Sequence, residues 1–149
     1  SKENFSLIWK LYFEMQMPML LEYKKIYGDL ETFHVHGVCL CNHALDSKKI
    51  DNSKMSKEFY LDKYFFSDKK NYKGINAMSI SEITGISRAT VIRKLNKLIK
   101  EDFLTIDDKK LYSVTGARSH ELIPIQKNTF KRFSIFAESI YNFSLIENN

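Results

Sequence analysis

Apolar residues recur along most of this chain at helical spacing, and the runs break at glycine, proline and polar clusters. Phe5, Ile8, Trp9 and Tyr12 fall three and four apart, which predicts a first helix to about Met17. Pro18 lacks a backbone donor and its ring crowds the preceding turn, so a kink or restart is expected there. A second piece runs from Met19 to Tyr27, Gly28 stops it, and Asp29 is placed to cap a helix over roughly Leu30 to Leu45. Residues 46–57 are polar and read as a loop. Phe59 to Phe66 read as a short aromatic helix, and 67–76 as a second loop.

The sharpest pattern comes next. Ile80 and Ile83 make one short apolar face, Gly85 sits where a left-handed turn is needed, and Ser87 is placed to cap the following helix. Val91, Leu95 and Leu98 repeat at i, i+4 and i+7, so one side of the helix over 87–100 faces a core. Leu104 to Ile106 and Leu111 to Val114 flank the polar run Asp107-Asp108-Lys109-Lys110 and predict strand, turn, strand. A connector ending at Pro124 leads to a last helix from about Gln126 to Ile146. One face of it carries Phe130, Phe133, Ala137, Ile140 and Ser144, widened by Phe136 and Phe143.

Charge sharpens this picture. The chain of 149 residues has a formal net charge of +5, which suits an anionic partner without naming it. Residues 1–72 are nearly balanced, with eleven Lys against ten acidic residues, whereas 73–115 carry eight positive and five negative charges. Arg88, Arg93, Lys94, Lys97 and Lys100 all lie within 87–100, where no acidic residue occurs. A cationic helix behind a tight turn is the arrangement that enters a DNA major groove.

The stretch ISEITGISRATVIRKLNKLIKEDFL resembles the winged helix-turn-helix of bacterial regulators, especially the MarR-like group. Crp-type regulators share its SRxTVxRxLxxLxxxxxL pattern. The resemblance covers residues 75–115, and the flanking helices match by arrangement only. It implies a mainly α fold: a winged helix-turn-helix with a small β-wing, flanked by N- and C-terminal helices that form a dimer lobe. The expected organisation is a single domain, 1–149, with two lobes: 1–72 and 117–149 as a helical dimerisation lobe, and 73–116 as a DNA-binding lobe. The insertion over 46–76 departs from a minimal MarR-like chain.

The expected function is sequence-specific duplex-DNA binding by a homodimeric transcriptional regulator. Ser87, Arg88, Ala89, Thr90, Ile92 and Arg93 would face the groove, since Arg reads guanine bidentately and Ile92 or the Thr90 methyl can touch a thymine methyl. Lys94, Lys97 and Lys100 would lie closer to phosphates. Lys109 and Lys110 at the hairpin tip would reach the minor groove or its phosphates, with Asp107 and Asp108 as turn formers. MarR-like wings carry an acidic residue followed two later by arginine. Here only lysines are offered, so minor-groove readout by arginine is not expected. The bland alternatives are a solvated basic helix, or a winged helix that docks proteins as an adaptor.

A rival constellation is HVHGVCLCNH, residues 34–43. His36, Cys39 and His43 share one helical face at i, i+3 and i+7, which suggests a metal or redox sensor. No familiar zinc spacing is met, and a buried helix with Cys39 as a small hydrophobe explains the same residues. Cys39 and Cys41 make no disulfide framework, no apolar run spans a bilayer, and the first residues lack a signal-peptide pattern, so a cytoplasmic protein is expected. No P-loop, dinucleotide glycine fingerprint or nucleophile elbow occurs, so no enzymatic activity and no cofactor are expected. The expected partners are duplex DNA, a second copy of the chain held by the terminal helices, and a small-molecule effector of unidentified chemistry between the lobes.

Overall fold

The computed structural model describes residues 2–46 and 73–147. Its elements are α1 (Lys2–Tyr27), α2 (Leu30–Asp46), α3 (Ala77–Thr84), α4 (Arg88–Lys100), β1 (Leu104–Ile106), β2 (Tyr112–Val114) and α5 (Ser119–Glu147). The described chain is thus mainly helical, with one small antiparallel sheet. The aromatic helix expected over 59–66 lies outside the described residues, as does most of the two loops around it.

Both prolines lie inside helices, Pro18 without a restart and Pro124 where a connector was expected. Helix α1 runs through Pro18 as one element of 26 residues. A proline removes a single backbone bond, and the turns on either side continue while α1 lies along α5. Helix α5 begins at Ser119 and not near Gln126, with Pro124 inside it. The carbonyl that Pro124 leaves without a helical donor is that of His120, in the first turn, where the His120 side chain is exposed.

The periodic residues of the middle segment are fully used. Val35, Ile80, Val91, Leu95 and Leu98 have no exposed surface, and they join Cys39, Phe103, Leu104, Tyr112 and Leu122 in one cluster. Helix α2 packs on α3, α4 and β2, and it also meets the end of α1. Residues 30–46 belong to the same packed unit as 73–116, because Val35 and Cys39 supply part of its core.

The hairpin pairs Leu104 with Val114, Thr105 with Ser113 and Ile106 with Tyr112. Ile75 adds a one-residue bridge to the free edge of β2: its N–H donates to the Tyr112 carbonyl at 2.9 Å and its carbonyl accepts from the Tyr112 N–H at 2.8 Å. Gly74 makes this possible, since a Cβ there would lie 2.7 Å from the Tyr112 oxygen. The stretch before α3 is thereby stitched to the hairpin.

Helices α1 and α5 form a separate antiparallel arm. Tyr12 meets Phe136 edge-on at 6.1 Å, the Tyr23 and Thr129 hydroxyls are 3.4 Å apart, and Arg132 donates to Glu22 at 2.8 Å. The Arg132 hydrogen bond, opposed by burial, holds the Glu22 carboxyl below its ordinary range. Among the described residues of the arm only Tyr27, Ser119 and Leu122 are buried, all at the ends that adjoin the packed unit. The face expected to hold Phe130 and Phe133 together with Ile140 is split. Phe136, Ile140 and Phe143 are half-buried, while Phe130 and Phe133 stay exposed. Among the described residues no helix is long and apolar enough to cross a membrane.

Candidate nucleic-acid interface

The turn before α4 is fixed by local hydrogen bonds. Asn76 caps α3 by accepting from the Ser79 N–H at 2.8 Å. Gly85 adopts φ 72°, the left-handed region, and its N–H donates to the Ser81 carbonyl at 2.9 Å. The Ser81 hydroxyl donates to the Ile86 carbonyl at 2.6 Å, and the Ile86 N–H donates to the Thr84 hydroxyl at 3.2 Å. Ser87 then caps α4, its hydroxyl oxygen accepting from the Thr90 N–H at 3.3 Å and lying 3.0 Å from the Thr90 hydroxyl. Loss of such a cap costs about 1 kcal/mol.

Val91, Leu95 and Leu98 anchor one side of α4 in the core. Ser87, Arg88, Ala89, Arg93, Asn96 and Lys100 are exposed on the remainder, and Thr90 and Ile92 are half-buried beside them. The helix of 13 residues is roughly 20 Å long, and a groove about 12 Å wide admits it. Asn96 is the residue the sequence reading missed. It lies one turn beyond Arg93 on the open side, a position that follows from the wheel once the core face is fixed. An exposed Asn is able to read adenine through two hydrogen bonds.

Lys94 and Lys97 are not where the sequence placed them. Lys94 is only 13% exposed, with its Nζ 3.0 Å from the Asp29 carboxylate. Lys97 Nζ lies 3.6 Å from the same carboxylate and donates to the Tyr27 carbonyl at 2.6 Å. Both are correctly on α4, but they reach back to the turn between α1 and α2. Their flank of the helix faces that turn, which the linear sequence does not reveal. Burial opposes charge on Asp29, yet the Thr32 N–H, the Lys94 ammonium and the Thr32 hydroxyl outweigh it and hold its carboxyl down at about 2.

At the hairpin tip Lys109 and Lys110 are exposed, as expected. Asp107 is the turn former, its Oδ1 accepting from the Leu111 N–H at 2.9 Å while its carbonyl accepts from the Lys110 N–H at 3.0 Å. Lys110 pays for this turn with φ 58°, a left-handed conformation that lysine seldom adopts.

No protein family matches this chain, and neither a curated protein nor a solved structure is significantly similar to it. The chemistry of the site therefore rests on its own residues.

Of residues 34–43, His36, Cys39 and His43 face inward, whereas His34 is exposed. Among the described residues no three His, Cys, Asp or Glu side chains come together to hold an ion. His36 Nδ1 is bonded to the Tyr27 hydroxyl, and burial pushes its imidazole down to about 4. Burial likewise pushes the Cys39 thiol up to about 12, so it carries no reactive thiolate. His43 is buried too, whereas Cys41 is exposed. These residues sit in or beside the core because α2 packs in the centre of the unit. A recess of about 150 Å³ lies within the arm, lined by Leu11, Met15, Ile135, Phe136 and Arg132. That is smaller than the ~300–1,000 Å³ usual for a small-molecule site, and it is not between the arm and the packed unit, where an effector was expected.

Proposed function

We propose that this protein is a sequence-specific duplex-DNA-binding transcriptional regulator, a winged helix-turn-helix that acts as a homodimer with α4 in the major groove. The observation that carries the reading is the open face of α4. Arg88, Arg93, Asn96 and Lys100 stand exposed on a helix that is capped at a glycine turn, anchored by three buried residues and free of acidic side chains from 87 to 100. Arg and Asn are the side chains whose paired hydrogen-bonding groups match guanine and adenine edges. Lys109 and Lys110 extend the basic surface to the hairpin. The exposed apolar side of the arm supports pairing with a second copy, which would present two reading helices to a near-palindromic site about one DNA turn, roughly 34 Å, apart.

Titration of pooled genomic duplex fragments at two salt concentrations tests this. Affinity falls steeply with salt, by about −0.9 in log–log slope for each phosphate contact. Absence of binding at low salt ends the proposal. The second reading, a protein-docking adaptor, draws on Met78 and Ile83, which are 55% and 62% exposed on α3. It gains if the chain ignores DNA but those two side chains become protected in a complex.

A further inference from the structure

Two of the five cations of α4 are ion-paired at the α1–α2 turn to a carboxylate that is itself pinned. Asp29 caps α2, accepting from the Thr32 N–H at 2.7 Å and from the Thr32 hydroxyl at 2.9 Å on both oxygens. Its position is therefore set by its own helix, independently of any lysine. Lys94 and Lys97 come to it from α4, 70 residues along the chain in the case of the Lys97–Tyr27 bond. The turn is shaped to receive them. Gly28 has φ 84°, a left-handed conformation that favours glycine, and a Cβ there would lie 2.8 Å from Lys97 Nζ, the mobile end of that side chain.

We infer that Asp29 is a specificity-determining residue of the DNA-reading face, holding Lys94 and Lys97 off the phosphate backbone so that binding depends on the base-facing side chains of α4. The inference rests on the DNA-binding reading. Its logic is a division of labour between two kinds of contact. A phosphate contact strengthens binding to every sequence alike, while a base contact separates one sequence from another. A lysine turned to Asp29 and away from phosphate adds little to random binding. The ratio of selected to random affinity, which governs site choice among many competitors, stays high. The same contacts fix the bearing of α4 on the α1–α2 turn, so the reading helix and the arm keep one relative setting.

Asp29→Asn separates charge from capping, because Asn caps a helix as well as Asp does. The full chain and this variant are titrated over a series of salt concentrations with a random-sequence duplex and with a duplex selected from genomic fragments. The variant is expected to bind the random duplex several-fold more tightly at low salt. Its slope steepens by about 0.9 for each released lysine of each bound protomer, and its selected-to-random ratio falls. Lys94→Gln in the otherwise unmodified chain is expected to leave the slope unchanged, and in the Asp29→Asn background to remove part of the gain. An unchanged slope in a folded Asp29→Asn variant overturns the inference. So does a slope flattened by about 0.9 per bound protomer in Lys94→Gln alone, because Lys94 would then already contact phosphate; that arm decides the matter even if Asp29→Asn fails to fold. Failure of the unmodified chain to bind any duplex removes both the reading and the inference, whereas binding with the slopes just described as adverse removes only the inference.

Discussion

The packed unit and the arm draw on the same kind of sequence pattern and end in opposite states. In the unit, Val35, Ile80, Val91, Leu95 and Leu98 are each 0% exposed. In the arm, Phe5, Phe130, Phe133 and Tyr141 stand 62%, 59%, 57% and 62% exposed. The difference is one of partners. Helix α2 has neighbours in α1, α3, α4 and β2, so its apolar stripe is covered from several directions. Among the described residues α1 and α5 meet chiefly each other over most of their length, and a helix with one neighbour covers only part of its circumference. On α1, Phe5, Trp9, Phe13, Met17 and Leu21 form an exposed row at steps of four, with Trp9 stacked on Phe13 at 5.6 Å. A contiguous apolar surface of this kind marks an interaction site.

The sharpest way to break the comparison is to empty the core. Leu95→Ala is expected to cost about 2–5 kcal/mol, the lost transfer energy plus the cavity left behind. Phe133→Ser, at a concentration too low for association, is expected to stay within about 0.5 kcal/mol of the unmodified chain. Denaturant titration of both variants measures this. Equal losses would mean that the arm contributes to the same core and that the distinction is false.

Acid should find the packed unit before the arm. His36 lies between Tyr27 and Phe103, with ring centroids 5.3 and 5.1 Å away, and among the described residues its Nε2 has no hydrogen-bond partner. Burial lowers its pKa from 6.5 to about 4. In the unfolded chain the imidazole takes a proton from about pH 6.5 downwards, while in the folded chain it waits until about 4. The stability tied to the neutral ring is therefore fully present above about pH 6.5 and falls away as pH drops to about 4, by about 3 kcal/mol in total. Denaturant midpoints at intervals from pH 7 to pH 4 follow the loss, and His36→Phe is expected to flatten it. A second loss, from the lowered Asp29 carboxyl, belongs to the lower window between about pH 4 and about pH 2. A slope between 6.5 and 4 that survives His36→Phe would place the acid-sensitive group elsewhere.

On the arm, the measurement is association. Each exposed phenyl that becomes a central contact of a dimer contributes about 2 kcal/mol, or about thirtyfold in Kd. Phe130→Ser and Phe133→Ser are each expected to weaken self-association by that order in sedimentation equilibrium, with the denaturation of the packed unit unchanged. A monomer at micromolar concentration for the unmodified chain would leave the arm as a surface for some other partner and favour the adaptor reading.

Local chemistry explains what was legible in the sequence. Gly85, Ser87 and the Val91–Leu95–Leu98 period each act within a turn or two of themselves, and the structure places them as their spacing predicts. The antiparallel hairpin is local for the same reason. What could not be read was long-range. Nothing near residues 34–43 says that their face meets α3, α4 and β2, although the missing zinc spacing already favoured a buried helix over a ligand set for His36, Cys39 and His43. Nothing near Lys94 or Lys97 names Asp29 as the partner. Pro124 misled for a different reason, since a helix starts before it, and Pro18 brought no restart. Their local cost is real, but the helices containing Pro18 and Pro124 accommodate them and continue.

The smallest expected effects on folding, and the most telling for function, lie on the open side of α4. Arg88→Ala and Arg93→Ala remove exposed side chains, so the stability of the packed unit is expected to stay within about 0.5 kcal/mol of its original value. Dimerisation is expected to be untouched, because neither residue lies on the arm. Their effect falls on DNA. Loss of a base-reading arginine costs about 1–3 kcal/mol on a selected duplex, roughly fivefold at the lower end, and much less on a random one. The pattern differs from that of the arm variants, which should reduce DNA affinity only through loss of the paired protomer and should recover it at high protein concentration. Titrations of selected and random duplexes at several protein concentrations separate the two. If the arginine variants lose equally on both duplexes, these side chains touch phosphates, and base reading falls to Asn96 and the first turn of α4.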